Sequence, residues 1–271
     1  MDIKKFILYS FLAVTSVITL TPFIWMLSAS FMHDGHANVY PPIFIPDVFT
    51  IEQYVKLFSR LDVARNFLNS LLLSVTVTVI SLFFNSMAGF AFAKYRFRGK
   101  KSLFNFLLSS MIIPAQVTML PLFLMLKSMG FINTYMAIII PGLANIFGIF
   151  LVRQYVLSIP DSLIEAAKID GATDFQVYRM VVVPLSTPIL VTLAIFTFMT
   201  TWNDFLWPLI ALTDNSMYTL PVALANLMLE HTKDPELMMA GSVITILPVM
   251  VVFLALQKYY INGIMLGSIK E

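Results

Sequence analysis

Charged residues are absent from six long stretches of the chain, 6–32, 66–93, 102–126, 128–152, 180–203 and 237–257, and gather in the segments between them. Each stretch has at least twenty-one residues, and about twenty apolar residues in a helix cross the roughly 30 Å hydrocarbon core of a bilayer. Lipid offers no partner to an open sheet edge, so such runs must be helical. A β-barrel would instead show alternating strands of about ten residues. The pattern predicts an all-α membrane protein. One transmembrane domain covers 1–271, with six spans at about 6–32, 66–93, 102–126, 131–157, 185–209 and 237–260.

The first stretch follows Lys4 and Lys5 and contains the small-residue run Ser28-Ala29-Ser30, features of a signal peptide. Its 27 uncharged residues exceed the roughly 7–15 of a signal core, so it is read as a retained span. Outside the spans, Ile51, Tyr54, Val55, Phe58 and Leu61 recur at helical spacing and predict an amphipathic helix at the membrane interface. The segment 210–236 is apolar for a loop and broken by Pro221; re-entry toward the membrane, contact with a partner and simple collapse are all open readings.

Composition agrees with this picture. The 271 residues are 59% hydrophobic and 12% charged, with mean hydropathy +0.85, about half the charge of a soluble domain. There is no cysteine, which excludes disulfides, thiolate metal sites and a cysteine nucleophile. A net charge of +2 gives no reason to expect nucleic acid as a partner. The distribution of Lys and Arg says more. With the N-terminus in the cytoplasm, twelve fall on inner segments and five on outer ones, which places both termini inside. The inner loop 94–101, KYRFRGKK, reads as a basic anchor attracted to anionic lipid heads.

The inner segment 158–184 is polar where its neighbours are not. Ser162 and Glu165 have capping-box spacing, Asp170-Gly171 is a stop, and Thr173 with Gln176 repeats the capping box. Phe175, Tyr178 and Val182 line one face of the second helix, and Pro184 and Pro188 lead into the fifth span. Two short helices around a turn are therefore expected, tied to the fourth and fifth spans. Interfacial helices usually carry Lys and Arg, but Asp161, Glu165, Asp170 and Asp174 outnumber Lys168 and Arg179 here. That acidity favours a protein socket over a lipid surface, and Ala166 and Ala167 let a partner approach closely.

Glu165-Ala166-Ala167, then Gly171, then Val181-x-Val183-Pro184 resembles the EAA loop of bacterial ABC-importer permeases, with Val at two positions where the family usually has Ile and Leu. Further similarity lies in LNS at 68–70, YRFRGKKSLF at 95–104, IPAQVTMLPLF at 113–123, SIPDSLIEAAKIDGA at 158–172 and WNDFLWPL at 202–209. Together these are similar to the carbohydrate-uptake subgroup, of the maltose-system type. The resemblance implies a multi-pass protein of the bacterial plasma (inner) membrane. Its implied partners are a homologous second permease, two ABC ATPase subunits and an extracytoplasmic solute-binding protein. It also implies that coupling helices dock into the ATPase, with Glu165, Ala166, Ala167, Asp170, Gly171, Phe175, Tyr178 and Pro184 at the joint, and that the tail 266–271 reaches the ATPases. Consistently, the sequence lacks the phosphate-cradling G-x-x-x-x-G-K-[ST] motif. No cofactor is expected on this chain, and ATP and Mg belong to the partner ATPase. The chain is not expected to be an enzyme.

Polar residues within spans are costly and mark pathways or helix contacts. Asn85 and Asn145 near mid-depth, with Gln116, Trp202, Asn203 and Asp204 toward the outer end, are the substrate-pathway candidates. Trp202 and Trp207 fit either sugar stacking or an interfacial aromatic belt. His33 and His36 lack further metal ligands in the sequence, and no metal is expected. An importer of an oligosaccharide, related sugar or polyol is the leading expectation. A glycerol-3-phosphate importer, a stand-alone secondary transporter and a non-transporting scaffold are the alternatives.

Overall fold

The computed structural model describes residues 3–41, 43–230 and 234–268. Among these, every regular element is a helix: α1 (Ile3–Ala29), α2 (Glu52–Arg60), α3 (Val63–Lys94), α4 (Lys100–Ser110), α5 (Ala115–Ser128), α6 (Met136–Gly142), α7 (Ile146–Leu157), α8 (Asp161–Ile169), α9 (Asp174–Val177), α10 (Val183–Leu185), α11 (Thr187–Trp202), α12 (Leu206–Ala211), α13 (Leu220–Glu230) and α14 (Pro235–Ser268). They form two compact units, Met1–Asn66 with Leu220–Pro248, and Phe67–Thr219 with Val249–Glu271. The tail contact expected of 266–271 falls on residues or side chains outside those described.

In the first unit, α1 exposes apolar side chains around its circumference, Phe6, Phe11, Val17, Ile18 and Ile24 among them, as a helix facing lipid does. The amphipathic helix expected near 51–61 is α2. Its inner face carries Gln53 and Leu57, while Ile51, Val55 and Phe58 are exposed. Gln53 Nε2 donates to the Met32 carbonyl at 3.1 Å and to Asp34 Oδ1 at 2.8 Å. Lys56 pairs with Asp34 and Glu52, and His33 Nδ1 lies 2.9 Å from Glu52 Oε2. Hydrogen bonds from Gln53 and Lys56 hold Asp34 below the usual carboxylate range. The segment 220–230 is helical, with Leu220, Val222, Ala223 and Leu227 buried, so part of the apolar loop forms a helix.

The second unit holds the bent spans. Four helices of the chain are long and apolar enough to cross a membrane, or six if each of two bent pairs counts as one span. From the sequence, Pro114, Pro121, Pro141 and Pro248, within or near spans, are expected to bend helices, and Pro184 with Pro188 to mark the turn into the fifth span. Two sharp bends are found at such positions. α4 and α5 meet at 103°, and the stretch Asp174–Leu185 meets α11 at 81°. The first break sits at Pro114, which takes extended geometry before α5 (φ −59, ψ 136) and has no N–H to continue the preceding ladder. The fourth span is interrupted between Gly142 and Ile146, after Pro141. Close approaches hold these pieces together. A Cβ on Gly148 would lie 2.4 Å from Asn85 Nδ2, and one on Gly89 would lie 2.7 Å from Val152.

Candidate functional site

The polar segment after α7 is built as two helices around a turn. α8 starts at Asp161 behind Pro160, and Ser162 does not cap it. The expected Ser162–Glu165 capping box is therefore not formed. Asp161 already occupies the first turn, where its charge favours the helix N-terminus. Lys94 donates to the Ile159 carbonyl and pairs with Asp161 at 2.6 Å, holding the Asp161 carboxyl below its usual range.

The turn is a Schellman cap. Gly171 has φ +84, its N–H bonds Lys168 O at 3.0 Å, and Ala172 N–H bonds Ala167 O at 3.0 Å. The second capping box forms as expected. Gln176 N–H donates to Thr173 Oγ1 at 3.3 Å, and Thr173 N–H donates to Gln176 Oε1 at 2.7 Å. Beyond α9 the ladder widens to a π turn over Tyr178–Val182, where Val183 N–H bonds Tyr178 O. The turn immediately precedes Pro184, which cannot donate to the carbonyl four residues back.

The inner side of this segment is fixed to α3. Ile164, Val177, Tyr178 and Val182 share a core with Phe90, Val152 and Val156. Tyr178 is buried, with its hydroxyl 2.6 Å from Ser86 Oγ and its ring stacked on Phe90 at 6.1 Å. Lys168 pairs with Asp174 at 3.0 Å and lies 5.4 Å over the Tyr95 ring. Burial and the Asp174 carboxylate push the Tyr95 phenol up to about 12, while Lys168 and Tyr95 hold Asp174 down. Two expectations change as a result. Tyr178 is an inward bolt and presents no docking surface, and the segment is tied to α3 as well as to the fourth and fifth spans.

Glu165, Ala166, Asp170, Gly171, Phe175 and Pro184 are exposed, and Ala167 is half-buried against the core. Ile169, at 86% exposure, Met180, at 68%, and Phe175, at 53%, are exposed apolar side chains of the same segment. The sequence reading missed Ile169 and Met180. Their signal was available, since both are large apolar residues off the Tyr178 and Val182 positions that turn inward.

The six pathway candidates separate. Asn85 is fully buried and structural: its Oδ1 accepts from Asn145 N–H at 3.0 Å and its Nδ2 donates to Ser81 Oγ at 2.8 Å. Asn145 caps α7, accepting from Gly148 N–H at 2.6 Å. These amides satisfy backbone and side-chain groups at the interrupted span. Trp202 is fully buried between Phe67 and Phe198, at 5.5 and 5.8 Å, so its ring is closed to a sugar. Asn203 is exposed and donates to Met199 O at 2.8 Å.

Gln116 and Asp204 do come together. They line a cavity of about 420 Å³ with Thr118, Thr200, Thr201 and Trp207. Asp204 Oδ1 accepts from Trp207 N–H at 3.4 Å, and Trp207 Nε1 donates to Ala137 O at 2.9 Å. The lining has amide, hydroxyl, one carboxylate and an indole edge, but no Lys or Arg.

Bent, apolar spans around a small polar cavity, with a rigid polar helix pair at one end, define a membrane transport component. The chain belongs to the family of binding-protein-dependent transport system inner membrane components, whose model matches residues 85–265. It is 35% identical over 261 residues to the arabinooligosaccharides transport system permease protein AraQ of Halalkalibacterium halodurans, covering 95% of this chain and 94% of that one. It is 30% identical to the lactose transport system permease protein LacG of Rhizobium radiobacter, over 97% and 95% of the two chains. Its fold matches a chain of a bacterial ABC transporter involved in the import of the acidic polysaccharide alginate, with TM-score 0.83, 26% identity and coverage of 95% and 96%. The resemblance to sugar ABC-transporter permeases is thus borne out at the level of the family.

Proposed function

We propose that this chain is one of two permease subunits of an ATP-driven importer of an uncharged oligosaccharide or related sugar. Both termini are in the cytoplasm, and segment 158–184 receives the motion of separate ATPase subunits. The outward face of that segment carries the reading. Glu165, Ile169, Asp170, Phe175 and Met180 are all exposed on a segment pinned inward by Tyr178 and braced at its surface by the Lys168–Asp174 pair. Exposed apolar side chains beside carboxylates suit a protein cleft with a basic residue, because burial of the apolar groups and pairing of the charge then occur together. An extracytoplasmic binding protein would deliver the sugar, in keeping with the family.

The cavity supports an uncharged substrate. Sugars such as those named for the AraQ and LacG relatives offer hydroxyls to amides, hydroxyls and a carboxylate, and C–H faces to an indole. A phosphorylated polyol calls for a cation that the lining lacks. The test is co-expression with a candidate partner permease and ATPase, comparing wild type with Glu165→Lys and Gly171→Asp. Retention of the ATPase by wild type and its loss or uncoupling in both variants supports the docking role. Insertion without ATPase recruitment by the wild type rejects it.

A further inference from the structure

A second cavity, of about 710 Å³, opens where the basic loop enters α4, and it is lined by Lys100, Lys101 and Arg153 with Phe97, Phe104 and Asn105. No carboxylate lines it, and among the described residues none of the three cations has an ion-pair partner. Two of them are held in place by other contacts. Arg153 Nε donates to Phe92 O at 3.1 Å and its guanidinium lies 4.1 Å over the Phe104 ring. Lys100 Nζ donates to Ala93 O at 3.2 Å and Tyr95 O at 2.8 Å. Both cap the last carbonyls of α3, which fixes their charges at the cavity wall. Lys101 is exposed and has no such duty among the described contacts.

Positive charges gathered without an acid repel one another and favour an anion. Burial and the nearby Arg153, Arg96 and Lys94 already push the Lys100 ammonium down. Arginine and lysine together suit a phosphate, by fork and by point charge. Immediately beside the cavity, α4 exposes Leu103 at 48% and Phe106 at 70%. A free phosphate has no use for that apolar flank, whereas a phospholipid lays its chains along it while its head enters the basic cavity.

We propose that the cavity formed by Lys100, Lys101 and Arg153 binds the phosphate of an anionic phospholipid. The site is distinct from a general attraction of the loop to the surface, because two of its cations are immobilised by α3 carbonyls and it has a defined aromatic wall. It does not depend on the ATPase-docking reading, and its test reads lipid directly.

The importer complex, purified in detergent and stripped of lipid, is titrated with phosphatidylglycerol, phosphatidylcholine and inorganic phosphate. Bound lipid is counted by native mass spectrometry alongside the melting temperature. Wild type is expected to retain phosphatidylglycerol and to melt several degrees higher with it than with phosphatidylcholine. Lys101→Glu, which leaves both α3 caps intact, is expected to lose at least tenfold in that affinity. Equal stabilisation by phosphatidylcholine overturns the proposal, as does an unchanged Lys101→Glu variant. If inorganic phosphate displaces phosphatidylglycerol at low millimolar concentration, the site belongs to a soluble anion and the lipid assignment fails. Loss of ATPase by Lys101→Glu with lipid binding intact assigns the cations to a protein partner and also overturns it.

Discussion

The segment 161–185 and the cavity beside Asp204 use their polar groups in opposite ways. In the segment, several polar groups are spent on fixing position: buried Tyr178 on Ser86, and at the surface Lys168 on Asp174 and Asp161 on Lys94. The outer carboxylates Glu165 and Asp170 are exposed. In the cavity, the hydroxyls bond their own helices, Thr118 to Ala115 O and Thr200 to Phe196 O. Asp204 accepts only from backbone N–H groups at the start of α12, those of Leu206 and Trp207, and no side-chain hydrogen bond of Gln116 is seen among the described residues. One region is pinned to its neighbours and keeps Glu165 and Asp170 exposed, as the docking role proposed above requires. The other leaves an amide and a carboxylate only lightly committed, which suits the sugar-binding role proposed above.

The sharpest way to break this contrast is at the outer face. Glu165→Lys reverses one charge on a surface that otherwise stays folded, so co-purification should show near-complete loss of the ATPase with unchanged permease yield. Second in size is Gly148→Leu. Its side chain has no room against Asn85, and overpacking costs about 1–3 kcal/mol. Reduced accumulation in the membrane and a lower melting temperature are expected.

Third, Tyr178→Phe removes the 2.6 Å bond to Ser86 but keeps the stacked ring, a loss of about 1 kcal/mol. The ATPase should still bind, while ATP hydrolysed per sugar transported rises a few-fold. A phenotype equal to that of Glu165→Lys would return Tyr178 to the docking surface. Asp204→Asn should leave assembly intact and raise the KM for sugar a few-fold, with kcat for ATP little changed. An unaltered KM would remove Asp204 from the pathway.

The smallest effect is a titration. Tyr95 is raised to about 12, so its neutral phenol is favoured in the folded protein. The stability it contributes is complete below the ordinary tyrosine pKa, near 10, and is lost as pH climbs from there toward 12. Asp174 works in the other direction. Its carboxylate is held down, so its contribution is complete above the ordinary aspartate pKa, near 3.9, and disappears on further acidification. Carbon-13 labelling of tyrosine with a Tyr95→Phe reference reads the first, and Asp174→Asn should lower the Tyr95 midpoint only in part because burial is the larger cause.

These regions also differ in how far the sequence disclosed them. The turn at Gly171 and the Thr173–Gln176 cap are local, and both follow from residue type within four positions. The Ser162 cap failed because Asp161, one residue earlier, had already started α8. The bond from Tyr178 to Ser86 spans ninety-two residues, and no local pattern announces it. The pathway candidates were chosen as polar residues in apolar runs. That criterion cannot separate Asn85 and Asn145, which serve the interrupted span, from Gln116 and Asp204, which line a cavity. Six apolar runs were legible and their prolines marked where helices bend, but the size of each bend was not, because the angle at Pro114 or Ser186 is set by packing across the unit.

The bends carry a consequence for the surrounding bilayer. α5 has 14 residues and α11 has 16, so at 1.5 Å per residue they are about 21 and 24 Å long. Neither matches a hydrocarbon layer of roughly 30 Å, and each meets its partner helix at a steep angle instead of extending it. Hydrophobic mismatch of this kind is relieved by local thinning or by tilt. If these short helices cross the bilayer, acyl-chain length should matter to this permease: reconstitution in short-chain lipid is expected to favour the bent arrangement more than long-chain lipid does.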